Sequence, residues 1–441
     1  MKRRVFSVLF AMALAVGLGP PWTPVSIITA APGITLDNTK WVEYPGNPVF
    51  DPATRAYYPS VMYDGGLYKM WYDATEGVAY ATSSDGIVWN TVASTTGLKS
   101  ARHSWVTRTD VGYEIWYWDQ SQLYSINAIR HAQSSDGISW TNDAAITQDA
   151  SQKLITGVSS WNRGSYGPSN VLFNPAITAL DKTNIMNNRY VMYYDGTTGG
   201  DEFLGVAGSL DGKHWVGNPT GLPVLTHNPD AGGQQYVSRA TVLKDGPVYR
   251  MWFSYGARTM DDGIGYAESA DGISWAEDPN NPVFHKTDGV GWRAARTYTP
   301  SVLKVGSTYK MWFTGVDGGR NYAIGLATLR LVKDVAIDIK PGSDPNSINL
   351  KARGVVPVAV LTTSQFDATT VDPGTALFAG ASPVRSSTED VDGDGDMDLL
   401  LHFDIQNLNL TSSSASATLT ADTHDGQPIE GTDTVNIVPK K

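Results

Sequence analysis

The chain of 441 residues contains no cysteine. No disulfide can hold it, so core size or bound metal must supply what cross-links supply elsewhere. After residue 18 no apolar run approaches transmembrane length. Basic residues are in the minority, with 33 Lys and Arg against 44 Asp and Glu and a formal net charge of -11. A chain of that sign is a poor partner for phosphate backbones, so nucleic acid is not an expected ligand. Part of the acidity belongs to solvated surface or metal loops, so an anionic ligand is not excluded. Disorder is excluded by a composition 41% hydrophobic and 10% aromatic.

What is present begins with a secretion signal over 1-30. Lys2, Arg3 and Arg4 form its charged end, Val5 to Leu18 its apolar stretch, and small residues from Thr29 to Ala31 a cleavage site. An uncleaved N-terminal anchor is the alternative. The expected product is a monomer, secreted or held at the cell surface, with a short linker over 31-39.

The dominant feature is a unit repeated five times. Its first runs read YPSV (58-61), HSWV (103-106), GPSNV (167-171), RATV (239-242) and TPSV (299-302). Its second runs read LYKMWYD (67-73), GYEIWYW (112-118), RYVMYYD (189-195), VYRMWFS (248-254) and TYKMWFT (308-314). Third runs start near Val78, Ile129, Leu204, Ile264 and Ile324. Four units then carry an Asp-Gly pair and a Trp: Asp85 and Trp89, Asp136 and Trp140, Asp211 and Trp215, Asp271 and Trp275. Asp-Gly between β-prone runs signals a hairpin whose central residues take positive φ. Four antiparallel strands per unit cannot bury both faces alone, so the units must pack on one another.

The fifth unit lacks its Asp-Gly and Trp strand. WVEYPGNPVF (41-50) resembles AEDPNNPVF (276-284), the segment following Trp275. An N-terminal strand that completes the last sheet closes a ring and removes the free edge. The expected fold is all-β: a five-bladed β-propeller over 40-332, followed by a small β-sandwich over 333-441. A solenoid of stacked sheets is the rival, but it has no use for a displaced strand. In the ring, first strands line a channel. Their starts share one face with the second-to-third loops and the connections between units. The Asp-Gly hairpins lie on the opposite face, as turn formers.

The pattern PSV, YKMWY, IGYA-x-S-x-DGISW, NPV resembles the five-bladed glycosidase superfamily over roughly three hundred residues. That group holds the family 43 arabinanases and xylosidases, the family 32 and 68 fructosidases and the family 130 mannoside phosphorylases. The resemblance implies the fold and a carbohydrate ligand. In families 43 and 32 an Asp precedes the Pro of the first inner strand as base or nucleophile, and an inner-ring Glu is the acid. This chain has Tyr58 there, and His103, Gly167, Arg239 and Thr299 at the equivalent positions. The fructosidase motifs are absent, and the S-x-D-x-G-x-x-W box of sialidases differs from the pattern here.

Cleavage of a glycosidic bond needs two carboxyl groups flanking it, so other acids are candidates. Asp73 and Asp195 end second strands, and Asp119 lies one residue further along. Glu202 follows the Gly-rich GTTGG loop, and Asp195 with Glu202 is the preferred pair. Arg102, His103, Arg239 and Arg296 stand at or just before inner strands, where guanidinium groups suit carboxylate or phosphate. The alternative is an ion network with loop acids, and Arg293 shares both readings. Tyr58, Trp105, Tyr166 and Tyr298 offer aromatic faces to a sugar ring, with inter-unit packing as the alternative. Two functions follow: a glycoside hydrolase acting on a polysaccharide or oligosaccharide, with acidic sugars included, or a non-catalytic glycan-binding or adhesion protein.

From Val335 the pattern changes to about six strands. The IDIKPGSDPNSIN opening resembles a module appended to exported proteins. Within it, DVDGDGDMD places Asp390, Asp392, Asp394, Asp396 and Asp398 at positions one, three, five, seven and nine of an EF-hand-like loop, with Gly395 at six. Five carboxylates this close call for a hard cation, so calcium is the expected structural cofactor. Leu401 stands where such loops carry a Glu.

Overall fold

The computed structural model describes residues 36-37, 41-53, 55-122, 129-148, 164-198, 201-226, 235-257, 260-286 and 291-438. The expected signal segment lies outside the described residues. The described chain is all β apart from short 3-10 turns. Among the described residues no helix is long and apolar enough to cross a membrane.

After β1 (Val42–Glu43), the first repeat forms β2 (Tyr57–Asp64), β3 (Leu67–Ala74), β4 (Gly77–Ser83) and β5 (Asn90–Ala93), paired side by side in sequence order. The second repeats this as β6 (Ala101–Thr109), β7 (Gly112–Asp119), β8 (Ile129–Ser134) and β9 (Thr141–Ala145). A short β10 (Thr147–Gln148) runs parallel to an outer strand of the third unit, β14. That unit is β11 (Gly164–Phe173), β12 (Tyr190–Thr198), β13 (Asp201–Ser209) and β14 (His214–Gly217). The fourth is β15 (Gln235–Asp245), β16 (Val248–Ala257) and β17 (Met260–Ser269), edged by β18 (Ala276–Glu277) and β19 (Phe284–His285). A parallel bridge from Glu202 to Tyr236 joins the third and fourth units.

The fifth unit, β20 (Arg296–Val305), β21 (Thr308–Val316) and β22 (Tyr322–Arg330), takes β1 as its outer strand. Val42 faces Thr328 and Glu43 faces Ala327, antiparallel. The match between 41-50 and 276-284 extends to single bonds. Asn47 bonds both backbone groups of Leu326, and Asn281 bonds both backbone groups of Tyr266. Glu43 is fixed by Arg293, whose Nη2 donates at 2.6 Å and whose Nε donates at 3.2 Å. Arg293 therefore holds the closing strand. Trp292 lies flat over Gly315 and Gly325, whose missing side chains make room for its ring.

The innermost strands touch in a cycle: β2 on β6, β6 on β11, β11 on β15, β15 on β20, and β20 on β2. Val106 N donates to Ser60 Oγ at 3.0 Å and Val61 N to Ser301 Oγ at 2.9 Å. Between neighbouring units lie separate apolar clusters, built from the Met, Trp, Tyr and Phe of the second strands. Amphipathic sheets bury these faces only against each other, which is the driving force for the cycle.

The Asp-Gly turns differ from the expected hairpin. Only the glycines take positive φ (Gly86 at 79°, Gly137 at 77°, Gly212 at 74°, Gly272 at 76°). The aspartates act through their side chains: Asp85 Oδ1 accepts from Ile87 N at 2.7 Å and Val88 N at 2.9 Å. Ser83 Oγ accepts from Gly86 N at 2.8 Å. The turn presents the glycine carbonyl to the neighbouring unit. Trp71 Nε1 donates to Gly137 O, Trp116 to Gly212 O and Trp312 to Gly86 O, at 2.7, 2.8 and 2.9 Å. In the third unit Tyr193 Oη donates to Gly272 O.

The C-terminal part has more strands than six. One sheet orders β23 (Lys333–Asp334), β31 (Pro428–Thr434), β30 (Ser416–Thr423) and β27 (Val371–Phe378). The other orders β24 (Ile337–Ile339), β26 (Val355–Val360), β29 (Asp398–Asp404) and β28 (Pro383–Glu389). A small pair, β25 (Ser347–Ile348) with β32 (Asn436–Ile437), is added. Both four-stranded sheets contribute to one core, where Phe378 meets Phe403 at 5.3 Å.

Candidate functional site

Each inner strand carries a β-bulge near its start. In four units the bulge residue is the one the repeat aligns; in the third, Gly167 pairs with Asp195 as Tyr57 pairs with Asp73, so the equivalent bulge residue is Pro168 and not Gly167. Tyr58, His103, Arg239 and Thr299 have φ of 54°, 49°, 52° and 51°, and Gly167 has φ of 138°. Left-handed backbone is rare for non-glycine residues, most of all a β-branched Thr, and costs on the order of 1–3 kcal/mol each. Four such residues at one register concentrate backbone strain in this ring.

The strain is held from the preceding unit. Asp73 Oδ2 accepts from His103 N at 3.0 Å, Asp195 Oδ1 from Arg239 N at 2.8 Å, Ser254 Oγ from Thr299 N at 2.9 Å and Thr314 Oγ1 from Tyr58 N at 3.1 Å. All four acceptors end second strands. The fifth equivalent is Trp118, and the bulge position of the next unit is Pro168, which has no N–H to donate. The anchors Ser254 and Thr314 were missed from the sequence, although the series Asp, Trp, Asp, Ser, Thr at the second-strand ends was visible.

The ring closes around a narrow channel lined by Tyr58, His103, Trp105, Ser169, Arg239 and Thr299, among others. Its free volume is about 20 Å³, room for about one water molecule. Among the described residues no carboxylate lines it. Tyr58 stacks on His103 at 4.1 Å and meets Tyr298 edge-on at 5.7 Å; His103 continues to Trp118 at 5.4 Å. The Arg239 guanidinium lies 5.1 Å from the centre of the Tyr58 ring. Its Nη1 donates to Glu202 Oε2 at 3.1 Å.

Asp73 and Asp195 are fully buried. Burial pushes Asp73 up to about 8, against the His103 N–H and the charges of Arg102 and Arg239. Burial pushes Asp195 up to about 6, with Arg239 opposing it and Glu202 adding to it. Ser169 Oγ donates to Asp195 Oδ1 at 2.5 Å. Asp73 Oδ1 and Asp195 Oδ2 are buried with no hydrogen-bond partner among the described residues.

The expected residues thus divide. Asp195, Glu202 and Arg239 come together, and Tyr58, His103 and Trp105 share the channel with Arg239. Tyr298 is buried behind Tyr58, so packing explains it. Asp119 turns elsewhere. Burial works against its charge, but hydrogen bonds from Ser121 and Ser100 with nearby Arg130 hold its carboxyl below the usual range. Arg102 donates to Ala101 O at 2.7 Å and Thr75 O at 3.1 Å, beside the channel lining. Arg296 opens β20 opposite Val316 and does not line the channel. Tyr166 lies on β11, and its side chain lies outside the described residues.

In the C-terminal loop, oxygens of Asp390, Asp392 and Asp398 lie within 4.8 Å of one another. Asp394 and Asp396 stand outside that group; Asp394 Oδ1 instead accepts from Asp396 N at 2.9 Å. Leu401 is core, so position twelve offers no ligand.

No family model matches the chain. Two uncharacterized proteins from two strains of Mycobacterium tuberculosis are each 33% identical to it over 115 residues, 23% of this chain and 36% of theirs. The match thus spans about a third of the length of these curated relatives. Among solved structures, a thermostable family-43 glycoside hydrolase is 17% identical, with a TM-score of 0.46, covering 65% of this chain and 91% of that one. A glycosyl hydrolase from Bacteroides ovatus is 15% identical at a TM-score of 0.48, covering 68% and 97%. A structure from the family 130 group of mannoside phosphorylases, which contains glycoside hydrolases targeting β-1,2 mannosidic linkages in Candida mannan, is 16% identical at 0.48, covering 68% and 95%.

Proposed function

We propose that this is an exported carbohydrate-active protein, a five-bladed β-propeller with a β-sandwich appended, and that a glycan meets it at the ring of bulges. The observation that carries the reading is the convergence of Tyr58, His103 and Arg239, from three different inner strands, on one channel mouth. Aromatic faces cover the apolar side of a sugar ring, and a guanidinium takes its hydroxyl or carboxylate oxygens. Uronic-acid units suit Arg239 best. Recognition fits this geometry better than cleavage, because among the described residues no carboxylate lines the channel and Asp73 and Asp195 are buried behind it.

Hydrolysis is the second reading, favoured by one observation. Asp195, with its pKa pushed up to about 6, adjoins Glu202, which is paired with Arg239. A carboxyl raised by burial is a candidate general acid. A screen of the purified protein against neutral and uronic-acid polysaccharides, reading both binding and released reducing sugar, separates the two. Binding without release, weakened at least tenfold in Tyr58→Ala and His103→Ala, is the expected result. Release abolished in Glu202→Gln would replace recognition with hydrolysis, and no binding to any glycan would remove both.

The acidic loop is proposed to hold calcium as a structural cofactor through Asp390, Asp392 and Asp398. Its donors suit a hard cation: oxygens only, clustered within 4.8 Å, on a loop turned by Gly393 and Gly395 at φ of 80° and 100°.

A further inference from the structure

The ring contains its own control experiment. Four units hold the next unit's left-handed residue by the same bond, from backbone N–H to a side-chain oxygen at the end of the second strand. Ser254 and Thr314 do this with a neutral hydroxyl. A carboxylate is therefore not needed to anchor the bulge. Yet two units use one, bury it completely, and leave its second oxygen without a partner among the described residues. A buried, half-satisfied carboxylate is costly where a hydroxyl suffices.

The substitution is not random around the ring. The hydroxyl anchors hold neutral residues, Thr299 and Tyr58. The carboxylate anchors hold the two nitrogen bases, His103 and Arg239. The unit with Trp118 at the anchor position offers no such oxygen, and the next bulge residue is Pro168, which has no N–H to hold. Acceptor and bulge residue thus vary together: a carboxylate where the bulge side chain carries nitrogen, a hydroxyl where it does not. The Arg239 charge reaches both carboxylates, Arg102 adds to it at Asp73, and Glu202 faces Asp195 across the guanidinium. Tyr57 also faces Asp73.

We propose that Asp73 and Asp195 are positioning residues: each fixes the left-handed backbone of a ligand-facing nitrogen side chain, His103 or Arg239, and Asp195 also supplies negative charge that aims the Arg239 guanidinium at the channel mouth. Neither carboxylate touches the ligand. The ligand-facing part rests on the glycan reading above; the anchoring and charge do not.

The test exchanges anchors within the ring. Asp73→Ser and Asp195→Ser keep a hydroxyl for the backbone N–H and remove the charge, and Ser254→Asp does the reverse beside neutral Thr299. Thermal midpoints are read at pH 5 and pH 8. Both serine variants are expected to fold and to lose less stability than wild type on going from pH 5 to pH 8. Ser254→Asp is expected to lose more. Midpoints displaced equally at both pH values in all three variants would overturn the charge role. If a serine variant fails to fold, Asp73→Asn and Asp195→Asn keep an acceptor of the same shape, and the same comparison applies. For the ligand arm, polygalacturonate is the probe. Asp195→Ser is expected to weaken its binding at least tenfold, while Ser254→Thr leaves it unchanged. Wild-type binding retained in full by Asp195→Ser would overturn positioning and leave the glycan reading intact. No binding by wild type would count against the glycan reading, with the thermal arm still deciding the anchors.

Discussion

Trp252 and Trp41 meet edge to face, with ring centres 6.2 Å apart and planes at 85°, and neither indole N–H has a hydrogen-bond partner among the described residues. The equivalent Trp71, Trp116 and Trp312 all donate to a glycine carbonyl in the next unit's Asp-Gly turn. Trp252 faces the fifth unit, which has no such turn because its outer strand comes from the N-terminal segment. The closing strand thus removes one acceptor from the cycle and puts an aromatic edge in its place.

That contrast can be measured. Trp71→Phe and Trp312→Phe each lose a buried hydrogen bond, although Gly86 O keeps the one from Trp89 Nε1, whereas Trp252→Phe loses only ring area. A buried hydrogen bond contributes about 1 kcal/mol net. Urea unfolding is expected to show Trp71→Phe and Trp312→Phe less stable than Trp252→Phe by about that amount. Equal losses in all three would mean that packing alone holds the units together.

The repeat, its order of strands and the use of 41-50 as the last outer strand were legible in the sequence, because each rests on a local pattern copied several times. The ring chemistry was not. Nothing about Tyr58 or Arg239 announces positive φ; it arises because the bulge is held by an oxygen from the neighbouring unit, more than thirty residues away at Arg239 and across the whole repeat array at Tyr58. The turn role of Asp85 was readable, but not its mechanism, since a side-chain cap and a two-residue hairpin share the Asp-Gly spelling. In the C-terminal part β28 was missed because PVRSSTE is exposed almost throughout and shows no apolar alternation.

Glu43 and Glu277 occupy equivalent places in neighbouring units, yet among the described residues only Glu43 has a guanidinium. Arg293 is nearly buried, stacks on Phe284 at 4.8 Å and forks onto Glu43. Arg293→Ala is expected to cost about 2–3 kcal/mol, a little below the range for breaking a fully buried pair because Glu43 keeps some exposure. Arg293→Lys is expected to recover only part of this, since a point charge cannot make the fork. The loss should appear as faster proteolysis near residue 50 as well as a lower unfolding midpoint. An unchanged cleavage rate would detach Arg293 from strand closure.

Glu277 has no cationic partner among the described residues, and burial pushes its carboxyl up to about 7. The sign of its effect follows from linkage. A carboxyl whose pKa is higher folded than unfolded binds more protons in the folded state, so stability is lost as pH rises from the unfolded value toward the folded one. Between about pH 4.5 and pH 7, Glu277 should therefore lower the melting temperature as pH rises. Glu277→Gln is expected to flatten that part of the wild-type curve and to be more stable than wild type at pH 8. A variant curve running parallel to wild type would mean that Glu277 ionises freely.

Asp398 has the best claim among the loop acids to organise a metal. It is buried, and its two oxygens accept from Thr362 N at 2.7 Å and Val391 N at 2.9 Å, which pins it to the neighbouring strand end. Asp390 caps the loop from the other side, accepting from Gly393 N at 2.8 Å and Gly395 N at 3.2 Å. The loop is thus shaped by its own backbone bonds, and a cation would add the charge compensation that three close carboxylates need. Anything that binds the folded state alone stabilises it in proportion to the logarithm of its concentration. Millimolar calcium should raise the unfolding midpoint of the chelator-treated protein by several degrees, and magnesium should do much less because its rigid octahedral shell fits a three-carboxylate loop poorly. Asp390→Asn should abolish the increment without unfolding the chain, whereas Asp396→Asn, outside the cluster, should leave most of it. An increment surviving Asp390→Asn, or no increment in wild type, would assign the loop to a capped acidic turn instead.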